Sequence, residues 1–228
     1  MYKKISHTIQ EEHFNHPSLL PKELAAVYPD SGLPAYVMTE NTMLFRMDAR
    51  TLWSKYVWGL LNYGIGMNNQ IPGTDQIEKR LAKNAIALGE FIAPYYGETA
   101  GEQFARLLIS FSKLGVEVID ATRDKRSLAG IAELWTDVID QLSTFLNELN
   151  PSNWPKSLLA DYFKRIVEYW IEEITSRAAS DWTANERAID TLSSWVITGS
   201  GTNGGTFGSL ADLFSRGIIA QFPMKFLK

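Results

Sequence analysis

Apolar residues recur at helical spacing along five long segments, and no other feature restricts so tightly what this chain can fold into. Phe45, Ala49, Leu52, Tyr56, Leu60 and Tyr63 step by fours and threes, which lays one apolar stripe along a helix. Ile77, Leu81, Ala85, Leu88 and Ile92 make a second stripe, and Phe104, Leu107, Phe111, Leu114, Val118 and Ala121 a third. The fourth runs through Leu128, Ile131, Trp135, Val138, Leu142, Phe145 and Leu149, the fifth through Leu159, Phe163, Ile166, Trp170, Ile174 and Ala178. Each stripe must be buried against another element. Alternating strand patterns are essentially absent, so helix must pack on helix.

Local punctuation agrees. Asn41 is the expected N-cap of the first helix and Thr74 or Asp75 of the second. Gly97 suits a left-handed C′ position at the end of the second. Asn150-Pro151 ends the fourth, and Pro155 fits near the first turn of the fifth. Shorter helices are expected over Thr183–Trp195 and Ser209–Gln221, separated by a Gly-rich loop at 199–208. The prediction is an all-α fold, an antiparallel up-and-down helical bundle. Its core is ferritin-like or four-helix-bundle-like, built of long helices, with the short C-terminal helices added. Residues 1–40 hold Pro17, Pro21, Pro29 and Pro34 and no sustained period, so they read as an arm of loops and short turns before a single domain at 41–228.

Composition removes several function classes. Without Cys, thiolate metal sites, iron–sulfur clusters and cysteine nucleophiles are excluded. Lys plus Arg is 22 against 26 for Asp plus Glu, and a net charge of −4 offers nucleic acid no basic face. The longest charge-free stretch, Tyr56–Thr74, is broken by Asn62, Asn68, Asn69, Gln70 and Pro72, and the opening residues lack a secretory apolar run. A soluble, cytoplasmic protein is expected, with no nucleic-acid or membrane partner.

Candidate chemistry is sparse. The three histidines, His7, His13 and His16, all lie in the arm. Glu12, His13 and His16 are the weak candidates for a metal, since His at i and i+3 beside a carboxylate can share a helix face. Pro17 follows at once in a polar context, so solvated side chains are expected and no metal or cofactor is assigned. Gly199-Ser-Gly201-Thr-Asn-Gly204 spells a dinucleotide fingerprint after the strand-like Trp195-Val-Ile-Thr198. No second strand or ribose-binding carboxylate follows it, and a surface loop is expected. A carboxylate-bridged di-metal centre needs Glu-x-x-His on two helices, which the chain lacks. Glu117 with Asp120, and Glu172 with Glu173, are read as solvated or rim residues flanking the stripes. No His on the helical body can activate a Ser or Thr nucleophile. Trp53, Trp58, Tyr63, Trp135, Trp170, Trp182 and Trp195 are read mainly as core, with an aromatic-lined inter-helix pocket for an apolar small molecule as the alternative.

From Asp48 onward the chain resembles a family of small bacterial helical proteins common in spore-formers. The matching segments are Arg50-Thr-Leu-Trp53, Ala93-Pro-Tyr-Tyr-Gly-Glu-Thr-Ala-Gly101, Phe145-Leu146 with Asn153-Trp-Pro155, and Gly217-Ile-Ile-Ala-Gln-Phe-Pro223. The family pattern implies a ferritin-like arrangement with a central polar or metal-binding cluster. It has Trp-Glu-x-His on the first long helix, Lys-Glu-His on the third, Asn and Glu on the fourth and His on the fifth. Those positions here are Ser54 and Tyr56, Ser110 and Phe111, Val138 and Gln141, and Ile166, while Glu173 is retained. The resemblance therefore implies a divergent member whose central site has been replaced by packing. The expected role is non-catalytic, an interaction or structural protein with a protein partner or a homo-oligomer. The arm 1–40 and the loop 199–208 are the expected contact surfaces, and a ferritin-like metal-binding role is the further alternative.

Overall fold

The computed structural model describes residues 39–199 and 208–226, and Glu40–Lys228 form one compact unit. Its elements among the described residues are α1 (Glu40–Asn68), α2 (Thr74–Tyr96), α3 (Glu98–Arg123), α4 (Ala129–Leu149), α5 (Lys156–Ala178), α6 (Trp182–Ser193), a π-helical turn (Ser194–Thr198), α7 (Leu210–Gln221) and a 3-10 turn (Pro223–Lys225). The fold is all-α, and no strand occurs among the described residues.

Short connections force consecutive helices antiparallel. Phe45 stacks on Phe91 at 4.5 Å near one end of the α1–α2 pair, and Gly66 meets Thr74 at the other. Helices two apart in sequence then run the same way. Trp53 of α1 meets Phe104 of α3 at 6.4 Å, and Phe111 of α3 meets Phe163 of α5 at 5.8 Å. Gly64 of α1 faces Trp170 and Ile174 of α5. Thus α1, α3 and α5 meet pairwise, while α2 packs on α1 and α3, α4 on α3 and α5, and α6 on α5 and α1.

The interior is aromatic and close. Trp53, Trp135, Trp154 and Trp170 are fully buried, each removing much apolar area from water. Small residues make that packing possible. A Cβ on Gly89 would stand 2.3 Å from the Gly101 carbonyl oxygen, so α2 and α3 approach closer than any side chain there would permit. A Cβ on Gly115 would stand 1.9 Å from the Trp170 ring, which lies flat over that part of α3. Trp58 and Trp182, read as core from composition, are exposed. Trp58 lies two positions from Tyr56, on the opposite face of α1, and Trp182 opens α6 with the Arg177 guanidinium 5.9 Å over its ring. Ala178 is also exposed, because α5 ends there.

Several boundaries differ from expectation. The first helix begins at Glu40, so Asn41 lies inside its first turn. Thr74 is already helical, and the chain enters α2 through left-handed Gly73 at φ 88°. The Thr74 hydroxyl donates back to the Ile71 carbonyl at 2.6 Å instead of capping. Gly97 takes the expected positive φ of 92°, but ψ is 157° because α3 starts at the next residue. The strand-like Trp195–Thr198 is helical, continuing α6 as the π turn.

Candidate functional site

Residues far apart in sequence, Arg50 and Tyr96, Asn150 and Trp154, and Gly217, are brought together at α7 by the fold. That helix is buried from Leu210 to Ser215 and again at Gly217, Ile218 and Ile219. Its start is fixed by sequence. Ser209 is the N-cap, its hydroxyl accepting from the Asp212 backbone N–H at 3.1 Å. The same hydroxyl donates to Asp212 Oδ2 at 3.1 Å, and an acid in the first turn complements the helix dipole. Asp212 then meets α1. Arg50 Nη2 donates to Oδ1 at 3.0 Å and Oδ2 at 2.8 Å, and Arg46 Nη2 donates to Oδ1 at 3.1 Å. Arg46 and Arg50 stand one turn apart, so one face of α1 presents both to a single carboxylate. Burial alone would raise the Asp212 pKa. Hydrogen bonds and charge from Arg50 and Arg46 outweigh it and hold the group below the ordinary 3.8.

The other residues meet the middle and far end of α7. Trp154 stacks on Phe214 at 4.6 Å and donates its indole N–H to the Leu213 carbonyl at 3.1 Å. Gly217 lies against that indole, where a Cβ would stand 2.1 Å from Nε1. Asn150, buried at the end of α4, donates to the Gly217 carbonyl at 2.9 Å and to the Tyr96 hydroxyl at 3.2 Å. Tyr96 in turn donates to Gln221 Oε1 at 2.7 Å. Tyr95 packs on Phe222 at 5.5 Å and Phe226 at 5.8 Å, and Lys225 donates to the Pro94 carbonyl. Together these residues form the socket of α7.

A second buried carboxylate corrects the sequence reading. Glu173, expected at the rim, is 0% exposed. Its Oε1 accepts from Arg177 Nε at 2.8 Å and from Asn185 Nδ2 at 3.3 Å. Arg177 also donates to Asn185 Oδ1 at 3.0 Å, which joins α5 to α6. Glu117 is exposed and Asp120 half-buried, and Glu172 pairs with exposed Arg187.

Of the residues expected from the sequence to pack the bundle centre, Tyr56, Phe111 and Ile166 are buried and Val138 is half-buried. Trp135 packs on Phe111 at 6.3 Å and on Trp170 at 5.9 Å. Polar contacts persist among them: the Trp135 indole donates to the Phe111 carbonyl at 3.2 Å. The Tyr56 hydroxyl donates to the Leu108 carbonyl at 2.8 Å and lies 2.7 Å from the Ser112 hydroxyl. Burial pushes the phenol far above its ordinary pKa despite the Ser112 hydrogen bond, so it stays protonated.

The metal candidates Glu12, His13 and His16, with His7, lie outside the described residues, as do residues 1–38 of the arm and Gly201 and Gly204 of the Gly-rich loop. No group of three or more metal-ligating His, Cys, Asp or Glu occurs among the described residues. None of the described helices is long and apolar enough to cross a membrane. Asp212, Arg46 and Asn185 were not singled out from the sequence, although Ser209-x-x-Asp212 before an apolar run is a helix-start signature. Chemically, the two buried carboxylates among the described residues, Asp212 and Glu173, are each paired with arginine and help fasten one helix to another. Compared with known proteins, the chain matches no family model, no curated protein and no solved structure.

Proposed function

We propose that this chain is a soluble, cytoplasmic, non-catalytic interaction protein, a rigid helical scaffold that binds another protein chain through the outer face of α1. One observation carries the reading: Met43, Leu44 and Met47 are 49%, 50% and 61% exposed. At positions i, i+1 and i+4 they share one side of the helix. Clustered exposed apolar side chains of this kind mark a protein-contact surface. Methionine suits such a face because its flexible, polarisable side chain adapts to a partner. The interior supports the same reading, since the two buried carboxylates hold helices in place. A divergent relationship to the bacterial helical family, with its central cluster replaced by packing, is part of this proposal.

The first partner to test is a second copy of the chain. Sedimentation equilibrium over a wide concentration range should show reversible association. The double variant Met43→Lys/Met47→Lys should weaken it at least tenfold while leaving the helical circular dichroism and melting temperature unchanged. Equal association of variant and wild type, or a strictly monomeric wild type that also shows no Met43/Met47-dependent cross-links to other proteins in cells, would refute the reading.

A further inference from the structure

Two buried polar atoms between α1 and α5, Glu173 Oε2 and Trp170 Nε1, have no hydrogen-bond partner. Both side chains are fully buried, where an unpaired polar group is costly. They face the same place. A Cβ built on Gly64 would stand 3.3 Å from Oε2, 3.6 Å from Nε1 and 3.7 Å from Ile174 Cγ1. The glycine thus leaves a niche with one carboxylate oxygen and one indole nitrogen on its polar side and an apolar wall beside them. The other carboxylate oxygen is already held by Arg177 and Asn185, so Oε2 is free to bind something else.

We propose that this niche is a binding site for one small neutral hydroxyl species, a water molecule, bridging Trp170 and Glu173. The chemistry selects the occupant. The indole N–H only donates and the carboxylate oxygen only accepts, so the occupant must accept and donate at once. A metal ion or ammonium cannot accept from the indole, and an inorganic anion is repelled by the carboxylate. Water does both, and buried waters characteristically satisfy polar groups that no side chain reaches. The bridge extends the Arg177–Asn185 network, already linking α5 to α6, back to Trp170 where it crosses α1 and α3. Its order is α6, Asn185, Glu173, water, Trp170.

The test uses the intact protein. In a water-selective NMR experiment, the Trp170 indole proton, assigned by its loss in Trp170→Phe, should show a cross-peak at the water frequency from a long-lived bound molecule. Gly64→Ser and Gly64→Ala extend the test. The Ser hydroxyl can take the water's place, whereas the Ala methyl displaces it and leaves both atoms unpaired. Gly64→Ser should therefore unfold at a higher urea concentration than Gly64→Ala, the reverse of their intrinsic helix preference. Absence of the cross-peak in wild type overturns the proposal whether or not the variants fold. So does Gly64→Ala being at least as stable as Gly64→Ser.

Discussion

Replacing Asp212 by Asn should loosen α7 from α1 and make the loss depend on pH. Asn is nearly isosteric, and the Ser209 hydroxyl still caps the backbone N–H of residue 212. What disappears is the charge facing Arg46 and Arg50. A pair of unit charges near a protein surface is worth about 4 kcal/mol at 4 Å before screening. Here the Asp212 side chain is only 4% exposed, but Arg46 is 29% and Arg50 44% exposed. Both guanidiniums can recover water, so the net loss falls to about 2 kcal/mol. For a chain of this size that lowers the melting temperature by about 4–8 °C. The sign with pH follows from the direction of the shift. Asp212 is held below 3.8 in the folded state, so its contribution is complete above the unfolded value and is lost as pH falls through the folded one. Urea unfolding followed by circular dichroism should show the full difference near neutral pH and a shrinking one below about pH 4. Equal stability at neutral pH, or a difference that persists unchanged in acid, would show that the carboxylate charge does not hold α7.

Two further substitutions probe the same interior. Gly217→Ala places a methyl 2.1 Å from Trp154 Nε1, forcing the indole off the Leu213 carbonyl and off Phe214. The cost should be about 3 kcal/mol, with a change in tryptophan emission absent from Gly130→Ala, where a Cβ meets open space. Arg177→Met leaves Glu173 buried without its cation and should cost about 3 kcal/mol near neutral pH, most of it restored by adding Glu173→Gln. A single variant as stable as wild type, or a double variant no better than the single, would place the balancing charge elsewhere.

The helices were legible because each carries its own record of burial. Leu88, Phe111, Leu142 and Ile166 repeat at helical spacing, and the fold buries each of them. Short connections such as Gly97 then leave little choice but antiparallel neighbours. Ion pairs leave no such record, because the partners of Asp212 lie 162 and 166 residues away and periodicity says nothing about who faces whom. Glu173 was missed for a different reason. It follows Trp170 by three and Ile166 by seven, in the middle of the apolar stripe of α5, but the step from Trp170 to Ile174 passes over it. A carboxylate on a stripe is a stronger signal than one beside it, because burial is then required and a cation must be found. Arg177, one turn on, was the visible candidate.

The contacts around α7 teach the complementary lesson. Read along the chain, Pro94-Tyr-Tyr-Gly97, Asn153-Trp-Pro155 and Gly217 look like turns and caps with no chemistry. In the fold they form one socket. Tyr96 and Asn150 satisfy polar groups of α7, Trp154 covers its middle, and Gly217 is small because Trp154 is there. Such residues constrain one another. Enlarging Gly217 demands a smaller partner than Trp154, and a smaller partner gives up the Leu213 bond. The socket positions must therefore change together or stay as they are. Met43, Leu44 and Met47 are exposed on α1 and take no part in the hydrogen bonds and ring contacts described for that socket, so on the proposed reading they can follow a partner. Stability variants should accordingly concentrate around α7, and association variants on the outer face of α1. A single substitution at Met47 that both melted the fold and abolished association would collapse that division.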